Sequence, residues 1–342
     1  MEWRTSYLVR ISLVCLLATA PSAFAISSNS EKTESFEGFL KRVGSTAILN
    51  GVSQRTVEAS FRGLTPDIRV IGFDRKQPEF VQTFPDYITA RVTDFRKREG
   101  RRLFTLHQAL LEEIASVYGV DPQVIVAIWA LETSFGRYQG NYSVIRSLAT
   151  LGYDARRSKF FTRELLKALE ILDEQHVSAN QFVGAWAGAM GQSQFMPSSF
   201  LEYAVDFDGD GRKDIWSTES DVFASIANYL KNAGWKRSEG WGGSVRFENF
   251  NPATVKSQSS DQSCRALRKH SQKMPVSSWL EKGVIPDVEL IDQPYALIDP
   301  EAGLLSGYLV GGNYRAILSY NCANKYAVSV GLMSDLISGF VQ

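Results

Sequence analysis

The stretch Val120–Arg137, VDPQVIVAIWALETSFGR, leaves few choices for whatever surrounds it. Pro122 follows Asp121, the pattern of a helix that opens on an acidic N-cap with proline at its first position, where no N–H is needed. Val124, Ile125, Ile128, Trp129 and Leu131 then occupy almost every side of it. A helix that is apolar all round has to be enclosed by other elements, so the fold must be built about it. One acid, Glu132, enters that surround. Residues three and four apart share a helix face, which sets Glu132 beside Ile128 and Trp129 with Phe135 ahead. Burial there raises a carboxyl pKa and keeps the group protonated near neutral pH, the state a general acid needs. Taken alone, the helix fits equally an acid at a helix end that reaches solvent or a backbone donor.

Most of the chain to about Ala233 carries helical spacing. Phe36, Phe39, Leu40 and Val43 predict one helix, and about Tyr87–Arg98 a second, after an irregular connection over Asp74–Phe84. Leu103, Leu106, Leu110, Ile114 and Val117 predict a single amphipathic helix that stops at Gly119. Leu165, Leu166, Leu169 and Leu172 share a face of another, over about Thr162–Gln175. After Trp235 the texture changes. Ser244–Phe250 alternates, and Leu290–Leu297 mixes Val, Ile and Tyr between prolines, which predicts a small β-containing insertion. The expected fold class is therefore mainly α. Its parts are an N-terminal helical subdomain at 36–104, a core at 105–235, the insertion at 236–312, and a C-terminal strand and helix at 313–342 that return to the core.

Residues 1–25 read differently. Arg4 and Arg10 precede an apolar run from Ile11 to Ala20, Pro21-Ser22 breaks it, and Ala23-Phe24-Ala25 offers small residues at a cleavage site. The run is too short to span a bilayer, and the pattern is that of a secretory signal peptide cut after Ala25. A Ser-rich leader at 26–35 follows. No later stretch is long and apolar enough to cross a membrane, so an exported, soluble, periplasmic protein is expected, and a monomer. Acidic and basic residues balance at 37 each, with no basic run, which argues against nucleic acid as a partner. Loss of the leader removes Cys15, and the remaining Cys264 and Cys322 either pair in an oxidising compartment or stay as buried thiols, with pairing the expectation.

Two further stretches carry chemistry. In Gly184–Phe200, GAWAGAMGQSQFMPSSF, glycines permit close backbone approach, while Gln192, Gln194 and the serines offer neutral donors and acceptors suited to an uncharged polar ligand. Asp206–Asp214, DFDGDGRKD, has the D-x-D-x-D-G spacing of a calcium loop, with hard oxygen ligands from Asp206, Asp208 and Asp210 and a turn at Gly211. Ser217 stands where the twelfth-position glutamate is usual. His107, His176 and His270 match no metal or triad spacing.

ALETSFGR (130–137), GAMGQSQFMPSSF (188–200), YAVDFDGDGRKDIW (203–216), IANYLKNAGW (226–235) and SYNCANKYA (319–327) together resemble the B-type lytic murein transglycosylases. The resemblance runs in order over nearly the whole mature chain. It implies a lysozyme-like core and cleavage of the bond between N-acetylmuramic acid and N-acetylglucosamine without water, leaving a 1,6-anhydro end. Glu132 matches the family's single catalytic acid. Gln194, Tyr229, Tyr320, Asn321 and Tyr326 match positions that line the saccharide groove. The resemblance also implies an elongated EF-hand-like loop in which Asp221 supplies the last carboxylate and Arg212 a backbone carbonyl to a structural Ca2+. No organic cofactor is expected. Partners implied are peptidoglycan glycan strands and the cell-wall synthesis or division complexes that would recruit the enzyme. One position departs from the pattern: the family commonly carries serine, near the catalytic carboxylate, where this chain has Ala185. Either the fine geometry about the carboxylate differs or a neighbour such as Ser193 takes over that hydroxyl's role, and activity is expected, at most reduced. Two alternatives are an impaired peptidoglycan-binding scaffold and a hydrolytic muramidase on the same core.

Overall fold

The computed structural model describes residues 34–74, 82–154, 156–237, 239–257, 264–298 and 306–339. The expected signal peptide and all but the last two residues of the leader lie outside the described residues, as does most of the connection before Phe84. Fourteen helices are described: α1 (Phe36–Leu49), α2 (Gln54–Phe61), α3 (Ile68–Asp74), α4 (Phe84–Arg91), α5 (Asp94–Leu106), α6 (Gln108–Tyr118), α7 (Pro122–Thr133), α8 (Val144–Tyr153), α9 (Ser158–Asp173), α10 (Pro197–Tyr203), α11 (Glu219–Asn232), α12 (Val276–Glu281), α13 (Gly312–Tyr320) and α14 (Asn324–Ser338). The chain is mainly α, as its periodicity predicts.

Helix α7 is the axis of the core. Every residue from Val124 to Leu131 is buried, and α5, α6, α11 and α14 pack around it. Asp121 takes the N-cap position with extended backbone, but its side chain does not cap the helix. Its Oδ2 accepts the Trp235 indole N–H at 2.9 Å instead, tying the helix start to the end of α11. The helix ends in three successive left-handed residues, Ser134, Phe135 and Gly136. Phe135 is bulky in a region that few side chains tolerate, and its ring is held edge-on to Trp129 at 5.3 Å.

Two predicted helices are broken. Tyr87–Arg98 divides at Val92-Thr93, where the Thr93 hydroxyl accepts the Arg96 N–H and caps α5. The Leu103–Val117 helix divides at His107, which ends α5 and starts α6 with φ −99°. The halves have independent phases, so the five apolar residues do not form one stripe. Leu103 and Ile114 are buried, whereas Leu106 is 64% and Val117 54% exposed. His107 lies edge-on to Trp129 and Phe223.

The insertion holds a four-stranded antiparallel sheet of β3 (Gly242–Phe247), β4 (Val284–Pro286), β5 (Ala296–Ile298) and β6 (Ser306–Val310), in the order β4-β3-β6-β5. Val245 pairs with Pro286 on one side and Gly307 on the other. The sheet's own small core is Val245, Trp279, Val284, Tyr295, Leu297 and Leu309. A separate two-stranded ribbon, β1 (Tyr142–Ser143) with β2 (Val183–Gly184), belongs to the helical core. Among its described residues the segment after the insertion is two helices, α13 and α14, joined by a short turn, and not strand and helix, because the last strand closes the sheet before Gly312. Gly331 on α14 lets Trp241 lie flat on the helix: a Cβ there would stand 2.3 Å from the indole. Cys264 and Cys322 form a disulfide that fastens the insertion to the turn between α13 and α14. Among the described residues no single helix is long and apolar enough to cross a membrane.

Candidate active site

Glu132 sits in the last turn of α7 and opens into a cavity of about 460 Å³. It is only partly buried, so the apolar surround lies on the core side of the helix and the carboxylate faces the cavity. Its Oε1 accepts a 2.6 Å hydrogen bond from the Tyr326 hydroxyl. Burial first, and then the Glu132 charge, push the Tyr326 phenol well above its ordinary pKa, so it stays a donor. Gln194 and Asn321 line the same cavity, as do Tyr87, Arg91, Trp186 and Arg265. Glu132, Gln194 and the neighbouring pair Asn321 and Tyr326 thus come together from three segments far apart in the chain. Among the described residues that line the cavity, Glu132 is the one carboxylate.

The glycine-rich stretch builds the opposite wall. Met190 and Phe195 exchange backbone hydrogen bonds across a tight loop in which Gly191 and Gln194 both have positive φ. That conformation fixes the Gln194 amide, whose Nε2 donates to the carbonyls of Gln139 and Gly191 at 3.1 and 2.9 Å. Gln192 does a different job. Its Oε1 accepts from Trp129 at 2.7 Å, its Nε2 donates to the Trp216 carbonyl, and its own carbonyl accepts from Thr133. It therefore locks the loop to α7. A Cβ on Gly136 would lie 2.3 Å from the same amide, which is why the helix exit needs glycine there. Ser198 is also structural: its N–H and hydroxyl are both held by buried Glu164.

Tyr229 and Tyr320 lie beside the cavity and not on its lining. Their rings pack at 4.7 Å, with Phe195 and Tyr203 against them. Their hydroxyls donate to the carbonyls of Ser319 and Ser193, both at 2.6 Å. Burial and the neighbouring Tyr203 push the Tyr229 phenol up to about 12, and burial with the Glu132 charge holds the Tyr320 phenol well above its ordinary value. Both buttress the wall from behind. Ser193 is fully buried and its hydroxyl has no hydrogen-bond partner, so it does not replace a serine at position 185. Ala185 is itself off the lining and spends its N–H on the Ala189 carbonyl. Tyr87, Arg91 and Arg265 were not visible as site residues, since only tertiary packing brings α4 and the segment after Cys264 to Glu132. The disulfide is the one local signal: Cys322 and its neighbour Asn321 are on the cavity wall.

The acidic loop gathers Asp206, Asp208 and Asp210 so that one oxygen of each lies within 4.8 Å of the others. Asp206 accepts the N–H groups of Gly209, Asp210 and Gly211, which curls the loop and turns the carboxylates inward. Three hard oxygens on a tight loop fit a calcium-type ion. Asp221 stays out of that group. It is buried, and its two oxygens accept the Phe207 and Asp214 N–H groups at 2.8 Å each, so it clasps the loop ends instead of adding a fourth clustered carboxylate. The Arg212 N–H donates to Asp210 Oδ1 in the same turn.

Comparison with known proteins gives the family and the fold. The family model described as Transglycosylase SLT domain matches residues 35–335. Membrane-bound lytic murein transglycosylase B of Escherichia coli is 30% identical over 250 residues, 72% of this chain; the match spans 65% of that protein, somewhat under two thirds. SltB3 of Pseudomonas aeruginosa, solved with NAG-anhNAM-pentapeptide, superposes with a TM-score of 0.80 and 37% identity over 90% of this chain and 80% of its own. Lytic transglycosylase Slt35 of E. coli, solved with calcium, gives 0.73 and 25% identity over 89% of this chain and 94% of its own. The same mainly α, lysozyme-like core underlies these structures and this one. With the acid on its buried helix, the amide loop opposite and the family match over nearly all of the described residues, the chain belongs to the B-type lytic murein transglycosylases of the transglycosylase SLT family.

Proposed function

We propose that this protein cleaves the MurNAc–GlcNAc bond of peptidoglycan without water and leaves 1,6-anhydro-MurNAc ends. The observation that carries the reading is that Glu132 is the one acid among the described residues lining the cavity. Glycosidases that admit water commonly place two carboxyl groups about the scissile bond. One carboxyl suffices when the substrate supplies its own nucleophile. Glu132 gives its proton to the glycosidic oxygen as the bond to C1 breaks. The resulting carboxylate then takes the proton of the muramoyl C6 hydroxyl as that oxygen closes on C1, so atoms and charge balance with no water consumed. Tyr326 holds one carboxyl oxygen in place at the cavity wall. Gln194 and Asn321 offer neutral hydrogen-bonding groups to a saccharide, and Trp186 an apolar face.

The anhydro-muramoyl ligand of SltB3 supports this product class. We place the protein in the periplasm after export, on the reading of residues 1–25 and on the disulfide, which persists in oxidising compartments. We assign a structural Ca2+ to Asp206, Asp208 and Asp210, completed by the Arg212 carbonyl; the calcium complex of Slt35 supports it. The test is mass spectrometry of muropeptides released from purified sacculi by the mature protein, with Glu132→Gln in parallel. Products one water lighter than those of lysozyme, absent with the variant, are expected. Hydrated products would make it a muramidase. Binding without products would make it a scaffold, with Ala185→Ser as the reversion to try.

A further inference from the structure

An aromatic run leaves the cavity of Glu132 and crosses the surface to a second cavity. Trp186, on the cavity wall, is 6.3 Å from Phe73 between ring centroids, and Phe73 is 6.2 Å from Tyr142. Tyr142 in turn lines a smaller cavity of about 200 Å³ with Asp67, Arg69, Asn141, Ser143 and Arg146. Phe73 is 43% exposed although it is large and apolar. It is not left there by a loose element. Asp74, the next residue, is buried and takes both Arg156 and Arg157, which anchors the end of α3.

The other two rings are fixed by the ribbon. Tyr142 pairs with Gly184, and Trp186 follows two residues later, so one short ribbon sets both ends of the run. Gly140 makes the close approach: a Cβ there would lie 2.1 Å from the Gly184 carbonyl oxygen, and its φ is +91°. The second cavity is polar but its cations are committed. Arg69 grips Asp67 with two hydrogen bonds of 2.9 and 2.6 Å and lies over the Tyr142 ring. Arg146 donates to the Thr65 carbonyl at 2.8 Å. An anion would have to break these pairs. A neutral ligand with apolar faces and a hydroxyl rim would not: it could lie on Phe73 and Tyr142 and reach the exposed Asn141 and Ser143.

We propose that this run is an extension of the glycan site, on which further sugars of the same strand lie beyond those held at Glu132. This rests on the function proposed above, and its continuity with that cavity through Trp186 argues for the same ligand. The extension binds bare saccharide and ignores the peptide stems.

The test is equilibrium binding in the Glu132→Gln background, which prevents turnover, with peptide-free glycan strands graded by length. Affinity should rise for strands longer than the Glu132 cavity holds. Phe73→Ala and Tyr142→Ala should each lower the ratio of long-strand to short-strand affinity about tenfold, equivalent to about 1.4 kcal/mol per ring. Tyr142→Phe keeps the ring and should keep the ratio, which separates lost stacking from a damaged ribbon. An unchanged ratio in Phe73→Ala, whose side chain is half in solvent, would overturn the proposal. So would a loss seen only on strands that still carry peptide. Failure of Glu132→Gln to bind glycans of any length would remove the functional reading and the extension together, whereas tight but length-independent binding would remove the extension alone.

Discussion

Removing one hydroxyl, in Tyr326→Phe, tests how Glu132 is held. The phenol donates to Glu132 Oε1 at 2.6 Å, and the ring is 4% exposed, so the replacement keeps the packing and deletes the hydrogen bond. A hydrogen bond to a charged group contributes about 1.5–3 kcal/mol. If it positions the carboxyl for both proton transfers, its loss lowers turnover by about 10- to 150-fold. KM should change much less, because the other oxygen and the cavity walls remain. The assay is steady-state turnover on sacculi and on soluble glycan strands, with thermal melting alongside to confirm the fold. Turnover within about twofold of the unmodified enzyme, in a folded variant, would refute the reasoning. Glu132 would then be oriented by something other than Tyr326.

Three further outcomes follow from the structure. His270 is held below its usual 6.5, chiefly by burial, against an opposing hydrogen bond with Asn324. The unfolded chain therefore takes up a proton that the folded one resists, so this stability is full above pH 6.5 and is lost as pH falls through the folded value. Melting temperature should drop over that window and drop less in His270→Gln; parallel curves would dismiss the group. Chelation should lower the melting temperature, calcium should restore it, and Asp208→Asn should remove the response; an ion at a hundred times its Kd adds about 2.7 kcal/mol. A melt indifferent to both chelator and calcium would dismiss the site. The Cys264–Cys322 bridge closes a loop with a sequence separation of 58, so Cys322→Ser should cost about 4 kcal/mol, read by denaturant unfolding. A cost near zero would mean that the insertion is held without it.

What the sequence made legible was local. The apolar run of α7 was visible as a buried helix because no side of it is polar, and Glu132 stood out as the acid within it. The carboxylates of the acidic loop were visible from spacing. For Asp221 the distance along the chain points to a ligand, whereas the fold buries it and gives both oxygens to backbone N–H groups. The break at His107 was hidden because leucines on both sides continue a helical spacing that geometry does not. Tyr87, Arg91 and Arg265 reach the cavity through packing between distant segments, for which the sequence has no local mark. Tyr229 and Tyr320 show the reverse: a chemistry that suits sugars, spent here on carbonyls of the protein itself.

The central claim is that the C6 hydroxyl of the substrate, and not water, closes on C1 under one carboxyl. Digestion of sacculi in water enriched in heavy oxygen tests it directly, with label at the new muramoyl ends read by mass spectrometry. The account predicts unlabelled, anhydro ends from the unmodified enzyme and no new ends from Glu132→Gln. Heavy oxygen at C1 of the released ends would contradict it and make the reaction a hydrolysis.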